Sequence, residues 1–282
     1  MTLSDQANAA PTREDMMAQL VPHAQLAGAD LSGTDLSGKD LYYANLAGAN
    51  LSGSTLQETG LLNANLEEAN VANADLQKAD LRGVNLRGAN LTNADFTGAF
   101  LYRTDLQGAD LNGATLTDTA LKLALYDGKT QWPEGFRYQS SGAVGPGAAL
   151  NGAYLNTANL KDANLSKAYL LGAYLSGTNL QGANLTGALL GGANLQKAFL
   201  TGANLQDASL AGAELQLVDF RAANLTGVDL SAVGSIAGAD FSQAVGLTAE
   251  NRSKLLGHPE AELNVRNAFT RKTTRQSLEL CE

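Results

Sequence analysis

The sequence predicts a solenoid, a chain wound coil upon coil around one narrow core, and three observations lead there. A leucine or its substitute recurs every five residues from Leu26 to Leu121 and again from Leu150 to Leu230. Of these 37 positions only Val71, Phe96 and Phe220 are not leucine. Two residues earlier stands an alanine in 27 cases, as in Ala44-Asn45-Leu46 and Ala203-Asn204-Leu205. A period of five suits neither ordinary element. On a helix each leucine would sit ~140° from the last, and on a straight strand an odd period sends successive leucines to opposite faces. A chain that bends once per repeat keeps the leucine and the small residue inward on every side, and such a chain coils.

The repeating unit Ala-(Asp/Asn)-Leu-x-x, seen in Ala29-Asp30-Leu31-Ser32-Gly33 and Ala183-Asn184-Leu185-Thr186-Gly187, resembles the pentapeptide-repeat family. The resemblance covers roughly two thirds of the chain, and tandem copying on this scale makes it specific. It implies an all-β solenoid, a right-handed quadrilateral β-helix with four repeats per coil, in which residues 20 apart lie one above another. The role of each repeat position follows from its chemistry. Leucine fills the axis, where burial contributes about 1.5–3 kcal/mol. Alanine is small because the side chains of one coil share a close-packed interior. Asp or Asn beside the leucine accepts from a nearby backbone N–H, and the frequent glycine two residues after the leucine relieves the turn.

Taken in order, residues 1–24 form an N-terminal segment in which Thr12 is expected to cap a helix through Leu20. The first repeat block spans 25–125. Within it Lys39 occupies an inward small position, where an unpaired buried ammonium would be costly, so it is expected to snorkel outward or to lie under the N-terminal cap. Residues 126–146 interrupt the repeat and shift its phase. This stretch carries Trp132-Pro133, Phe136, Tyr138 and several glycines, a composition suited to a folded loop whose aromatics pack on the coil. Its piece from Tyr126 to Phe136 resembles interruptions in cyanobacterial members of the family. It is read either as a staple that lets the coil resume or as a partner-binding loop.

The second block spans 147–245, with Tyr154 above Tyr174, Tyr169 near Leu189, and a polar ladder of Asn164, Asn184, Asn204 and Asn224. Leu230 is followed six residues later by Ile236, so one extra residue is expected near Gly234. Residues 246–282 form a C-terminal helical cap and tail. Thr248 is predicted to cap a helix over Ala249 to Leu256 that stops at Gly257, and Pro259 to open another. Helices at both ends would shield open coil edges. Dimerisation through the C-terminal region is the competing role.

Catalysis has little footing. The two histidines, His23 and His258, lie outside the repeats, no catalytic or phosphate-loop motif is present, and the aspartates are explained as turn formers. No enzyme activity, cofactor or metal is expected. One cysteine, Cys281, excludes an intrachain disulfide. No apolar run approaches the ~18–20 residues that cross a bilayer, and the N-terminus lacks the apolar core of a secretory signal, so a cytoplasmic protein without membrane insertion is expected. The net charge of −9 argues against direct nucleic-acid binding.

What remains is surface. On the face built from the repeats of Leu41, Leu61, Leu81, Leu101 and Leu121, the outward residues include Tyr42, Tyr43, Leu62, Phe100, Tyr102 and Leu123, interleaved with Arg82, Arg103 and Lys122. Aromatic and cationic strips of this kind favour protein interfaces, unless N-terminal or loop residues fold over them. With Trp132, Tyr154 and Tyr174 these are the candidate partner-binding residues of a non-enzymatic interaction scaffold, with a cyanobacterial assembly as the setting the resemblance implies. The resemblance supplies an alternative, a DNA mimic that binds and protects a type II topoisomerase such as gyrase.

Overall fold

The structure is a computed structural model that describes residues 19–281. It divides into two compact units, Met1–Ala143 and Val144–Glu282, and the division falls inside the predicted interruption. The predicted helix from Thr12 lies outside the described residues, apart from its last two positions.

In the first unit the 20-residue coil is present from its first repeat. Asn45 bridges Gln25 below and Asn65 above, always in parallel. Repeats away from the interruption make the same bonds. The Leu46 N–H donates to the Asn65 carbonyl at 2.7 Å, Asn65 N–H returns to the Ala44 carbonyl at 2.8 Å, and Gly48 N–H donates to the Glu67 carbonyl at 2.8 Å. The pairing never lengthens into a continuous strand, because each side of the square offers a single residue pair before the chain turns. The expected all-β architecture is therefore a stack of one-residue bridges.

The corners explain the five-residue period. Ala49 N–H donates back to the Leu46 carbonyl at 3.0 Å, and the residue two after the leucine has positive φ, the pattern of a type II turn. Glycine holds this place at Gly48 (φ 63), but Tyr43 (φ 58), Asn63 (φ 56) and Leu123 (φ 64) adopt the same conformation. The Asp or Asn before the leucine closes the turn from outside: Asp80 Oδ1 accepts from Arg82 N–H at 3.2 Å and Asp95 Oδ1 from Thr97 N–H at 2.9 Å. Leu46, Leu66 and Leu86 are all buried on the axis. Where the small position is polar, its hydroxyl finds a carbonyl: Thr59 and Thr104 reach Leu36 and Leu81 in the coil below, and Thr34 and Ser54 bond Leu31 and Leu51 in their own turn. This removes the cost of an unpaired buried polar group. Lys39 is exposed, so its ammonium is not buried unpaired in the coil.

The interruption begins as another piece of coil. Gln131 bridges Asp110, one residue later than the repeat would place it, and Asp127 Oδ1 accepts from the N–H groups of Gly108, Lys129 and Thr130. Beyond it Trp132 stacks on Tyr138 with ring centroids 5.4 Å apart and planes 2° apart, and Tyr126 meets both rings edge-on. The loop's aromatics thus pack on one another.

The second unit repeats the same coil from residue 147. Near its end the register slips by one. Gly234 N–H still pairs with Ala213, but Leu215 N–H reaches Ser235 and Asp240 replaces residue 239 as the partner of Asp219. The extra residue falls where the spacing of Leu230 and Ile236 predicts it. The asparagine ladder is broken once, because Asn204 Nδ2 donates to Thr186 Oγ1 at 3.0 Å, while Asn184 reaches Asn164 and Asn224 reaches Asn204.

Three helices close this unit. α1 (Ala249–Leu256) is capped by Thr248, whose side chain accepts from Asn251 N–H, and ends at Gly257. α2 (Glu260–Leu263) starts at Pro259. α3 (Thr274–Leu278) was not anticipated; it carries a capping box in which Thr273 and Gln276 bond each other's backbone N–H. Leu255, Leu263 and Leu278 are buried. Side chains supply the donors that a next coil would have given: Thr274 to the Ile236 carbonyl, Asn267 to Gly238, Ser277 to Ala239 and Cys281 to Phe241. The last coil is capped by polar groups from the tail, as an exposed β-edge requires.

Candidate interaction site

The aromatic face of the first unit contains a groove of about 850 Å³. Its position follows from the columns. The residues two after each leucine on this face run Tyr43, Asn63, Gly83, Arg103 and Leu123, and the column loses its side chain at Gly83. Gly83 has φ +69, and a Cβ there would run into Asn63 Oδ1, so the asparagine leans across the bare backbone and the floor drops between Asn63 and Arg103. Leu62 and Phe100 supply apolar wall, with Tyr102, Lys122 and Leu123 towards the far end. Phe100 is 45% and Tyr102 38% exposed.

Charge is distributed unevenly along this groove. Arg82 is tied to Asp80 by two bonds, Nε to Oδ1 at 2.7 Å and NH2 to Oδ2 at 2.6 Å. The Arg82 hydrogen bond holds the Asp80 carboxyl below the usual carboxylate range against the opposing effect of burial, and it raises the guanidinium in turn. Arg103 and Lys122 are neighbours on adjacent coils, joined through Arg103 N–H and the Lys122 carbonyl at 3.3 Å. Among the described residues neither side chain has an ion pair or a hydrogen bond.

Of the candidate residues, the fold brings together Leu62, Arg82, Phe100, Tyr102 and Arg103. Tyr42 and Tyr43 stand on the same face but outside the groove. His23 stacks on Tyr43 with centroids 5.2 Å and planes 3° apart and meets Tyr42 edge-on, extending the aromatic strip to the first coil. Trp132 is half-buried in its own loop cluster, with its indole N–H unpartnered. Tyr154 and Tyr174 belong to the second unit, where they stack at 4.7 Å and remain exposed. Sequence reasoning missed Asn63, Asp80 and Gly83. The signal for the floor was present as a glycine in a column that otherwise carries Tyr43, Asn63, Arg103 and Leu123. It also missed Phe269, which covers Phe199 with centroids 5.2 Å apart.

The sequence profile of the Pentapeptide repeats family matches residues 23–57, 64–101 and 85–122 in the first unit, and overlapping stretches from 147 to 233 in the second. That is more than half of the chain. The chain belongs to the pentapeptide-repeat family. Proteins of this family fold as right-handed quadrilateral β-helices, the four-sided coil described above, and they are in general structural or interaction proteins. Among solved structures, this pentapeptide-repeat protein is similar to HetL from the cyanobacterium Nostoc sp. strain PCC 7120, a protein involved in heterocyst differentiation regulation. Identity is 31% over 82% of this chain and 93% of that one, with a TM-score of 0.41. It is similar to Rfr23 from the cyanobacterium Cyanothece 51142 at 36% identity over 39% of this chain and 89% of that one, TM-score 0.39. QnrB1, a plasmid-mediated fluoroquinolone resistance protein, is 17% identical over 84% of this chain and 94% of that one, TM-score 0.29. Comparison with curated proteins found no match. Among the described residues, no helix is long and apolar enough to cross a membrane, and no three His, Cys, Asp or Glu side chains are grouped to hold a metal ion.

Proposed function

We propose that this pentapeptide-repeat protein is a non-enzymatic interaction protein whose first unit presents the aromatic and cationic face to a protein partner. The observation that carries this reading is the groove, where exposed Phe100 and Tyr102 lie beside two cations that have no partner in the described chain. Tyrosine and arginine are the residues that most often carry binding energy at interfaces. A surface built from turns that are each bonded to the coil above and below loses little conformational entropy on binding, so most of the contact energy is kept as affinity.

Imitation of duplex DNA requires an uninterrupted run of carboxylates. On this unit Asp80 is neutralised by Arg82 and Asp105 by Arg87 at 3.0 Å, which favours the interaction reading over mimicry. A cyanobacterial regulatory assembly is the proposed setting, in line with the sequence of the loop from Tyr126 to Phe136. The test is affinity capture of the tagged chain from its source organism, comparing the native protein with Tyr102→Ala and Arg103→Glu. The reading expects a specific protein that co-purifies with the native chain and is lost with either variant. A set of co-purifying proteins unchanged by both variants would sink it.

A further inference from the structure

We propose that the groove takes an extended, acidic segment of the partner protein that carries an aromatic or aliphatic side chain among its carboxylates. This deepens the interaction reading and rests on it.

Charge complementarity selects an acidic segment. The groove lining holds three cations, Arg82, Arg103 and Lys122, against one carboxylate, Asp80, in a chain whose net charge is −9. Asp80 is committed: its two oxygens take the Arg82 guanidinium and backbone N–H, leaving Arg103 and Lys122 uncompensated. Those two are held on adjacent coils by a direct backbone bond, an arrangement in which like charges repel. An incoming carboxylate removes that repulsion and gains two charge-assisted bonds.

Shape selects an extended chain. From Asn63 to Leu123 the column climbs three coil steps, roughly 14 Å at ~4.8 Å per step, which is about four residues of strand. Gly83 leaves the floor open for one side chain, with Leu62 and Phe100 as apolar walls. An inorganic anion would meet the cations and leave the apolar part of the groove unfilled.

The experiment is selection of a displayed random peptide library on the full-length chain, followed by anisotropy measurements with the best peptide labelled at one end. The expected result is enrichment of peptides that combine Asp or Glu with Phe, Leu or Trp. Binding should weaken at least about tenfold in Arg103→Glu/Lys122→Glu and fall as salt is raised. Arg103→Gln/Lys122→Gln, a gentler change whose melting curve is checked against the native chain, should weaken binding in the same direction. The inference is overturned if no peptide is enriched, or if the selected peptides are neutral or basic. It is also overturned if binding is indifferent to both double variants, or if inorganic phosphate or short duplex DNA displaces the peptide at matched ionic strength. Neutral aromatic peptides that still depend on Tyr102 would overturn the acidic assignment while leaving the interaction surface standing.

Discussion

Replacing Gly83 with alanine tests the groove floor and the turn geometry together. Gly83 and Gly108 share φ +69, so Gly→Ala places an L-residue in the left-handed region at both sites. That conformation costs roughly 1–2 kcal/mol, offset by about 0.4–1 kcal/mol because alanine restricts the unfolded chain. Gly108→Ala meets nothing closer than the Gly88 backbone nitrogen at 3.8 Å, so strain acts alone and a loss of about 1 kcal/mol is expected. Gly83→Ala adds a collision with Asn63 Oδ1, the movable end of a side chain, and forcing Asn63 off its rotamer adds about 0.5–1.5 kcal/mol. The expected total is about 2 kcal/mol. Urea unfolding followed by the fluorescence of Trp132, the only tryptophan and a residue of this unit, reads both variants. Asn63 itself has φ 56, so the comparison is a cycle: in an Asn63→Ala background Gly83→Ala should cost no more than Gly108→Ala costs in the native chain. Equal losses at Gly83 and Gly108 would refute the placement of Asn63 over the floor, and no loss at either would refute the type II turn.

Two further predictions concern the C-terminal cap. Asn267 is fully buried, donates to the Gly238 carbonyl at 2.8 Å and accepts from Phe269 N–H at 2.9 Å. Asn267→Ala should therefore destabilise the second unit by about 2–3 kcal/mol and speed amide exchange in the turn closed by the antiparallel Arg266–Thr273 bridge, whereas unchanged exchange there would contradict the capping role. Burial pushes the Cys281 thiol up to about 11 from an ordinary value of 9.0. The folded state holds the protonated form, so this stabilisation is present below about pH 9 and is lost as pH rises through 11. At pH 8 the thiolate fraction is about a hundredfold below that of a free thiol, and alkylation should be slowed accordingly; reaction at the free-thiol rate would show an exposed tail.

The repeat was legible because each of its residues has the same neighbours, so the roles of Leu46, Ala44 and Asn45 can be solved once and copied. The slip at Gly234 and the Thr248 cap were legible for a related reason, since spacing and a local side-chain bond decide them. Elsewhere packing that the repeat does not dictate decides. Trp132 looks from its sequence like a surface anchor, yet it spends its faces on Tyr138 and Phe136 from its own loop. Asn204 abandons its ladder because Thr186, 18 residues away, offers an acceptor. The α3 helix is five residues long and too short for a periodic signal, although Thr273 and Gln276 spell its cap. The candidate site was half legible: the columns gave the aromatic and cationic strip, but the depression at Gly83 depends on where Asn63 leans.

The measurement closest to the central claim is site-specific photo-crosslinking in cells that make the protein. A photoreactive residue at Tyr102 is compared with one at Thr92, an outward position of the same unit in a different column. The account predicts that position 102 captures a discrete protein adduct, that position 92 does not, and that Arg103→Glu abolishes the adduct. Equal capture from both positions, or capture from position 92 alone, would contradict the assignment of this face as the contact surface.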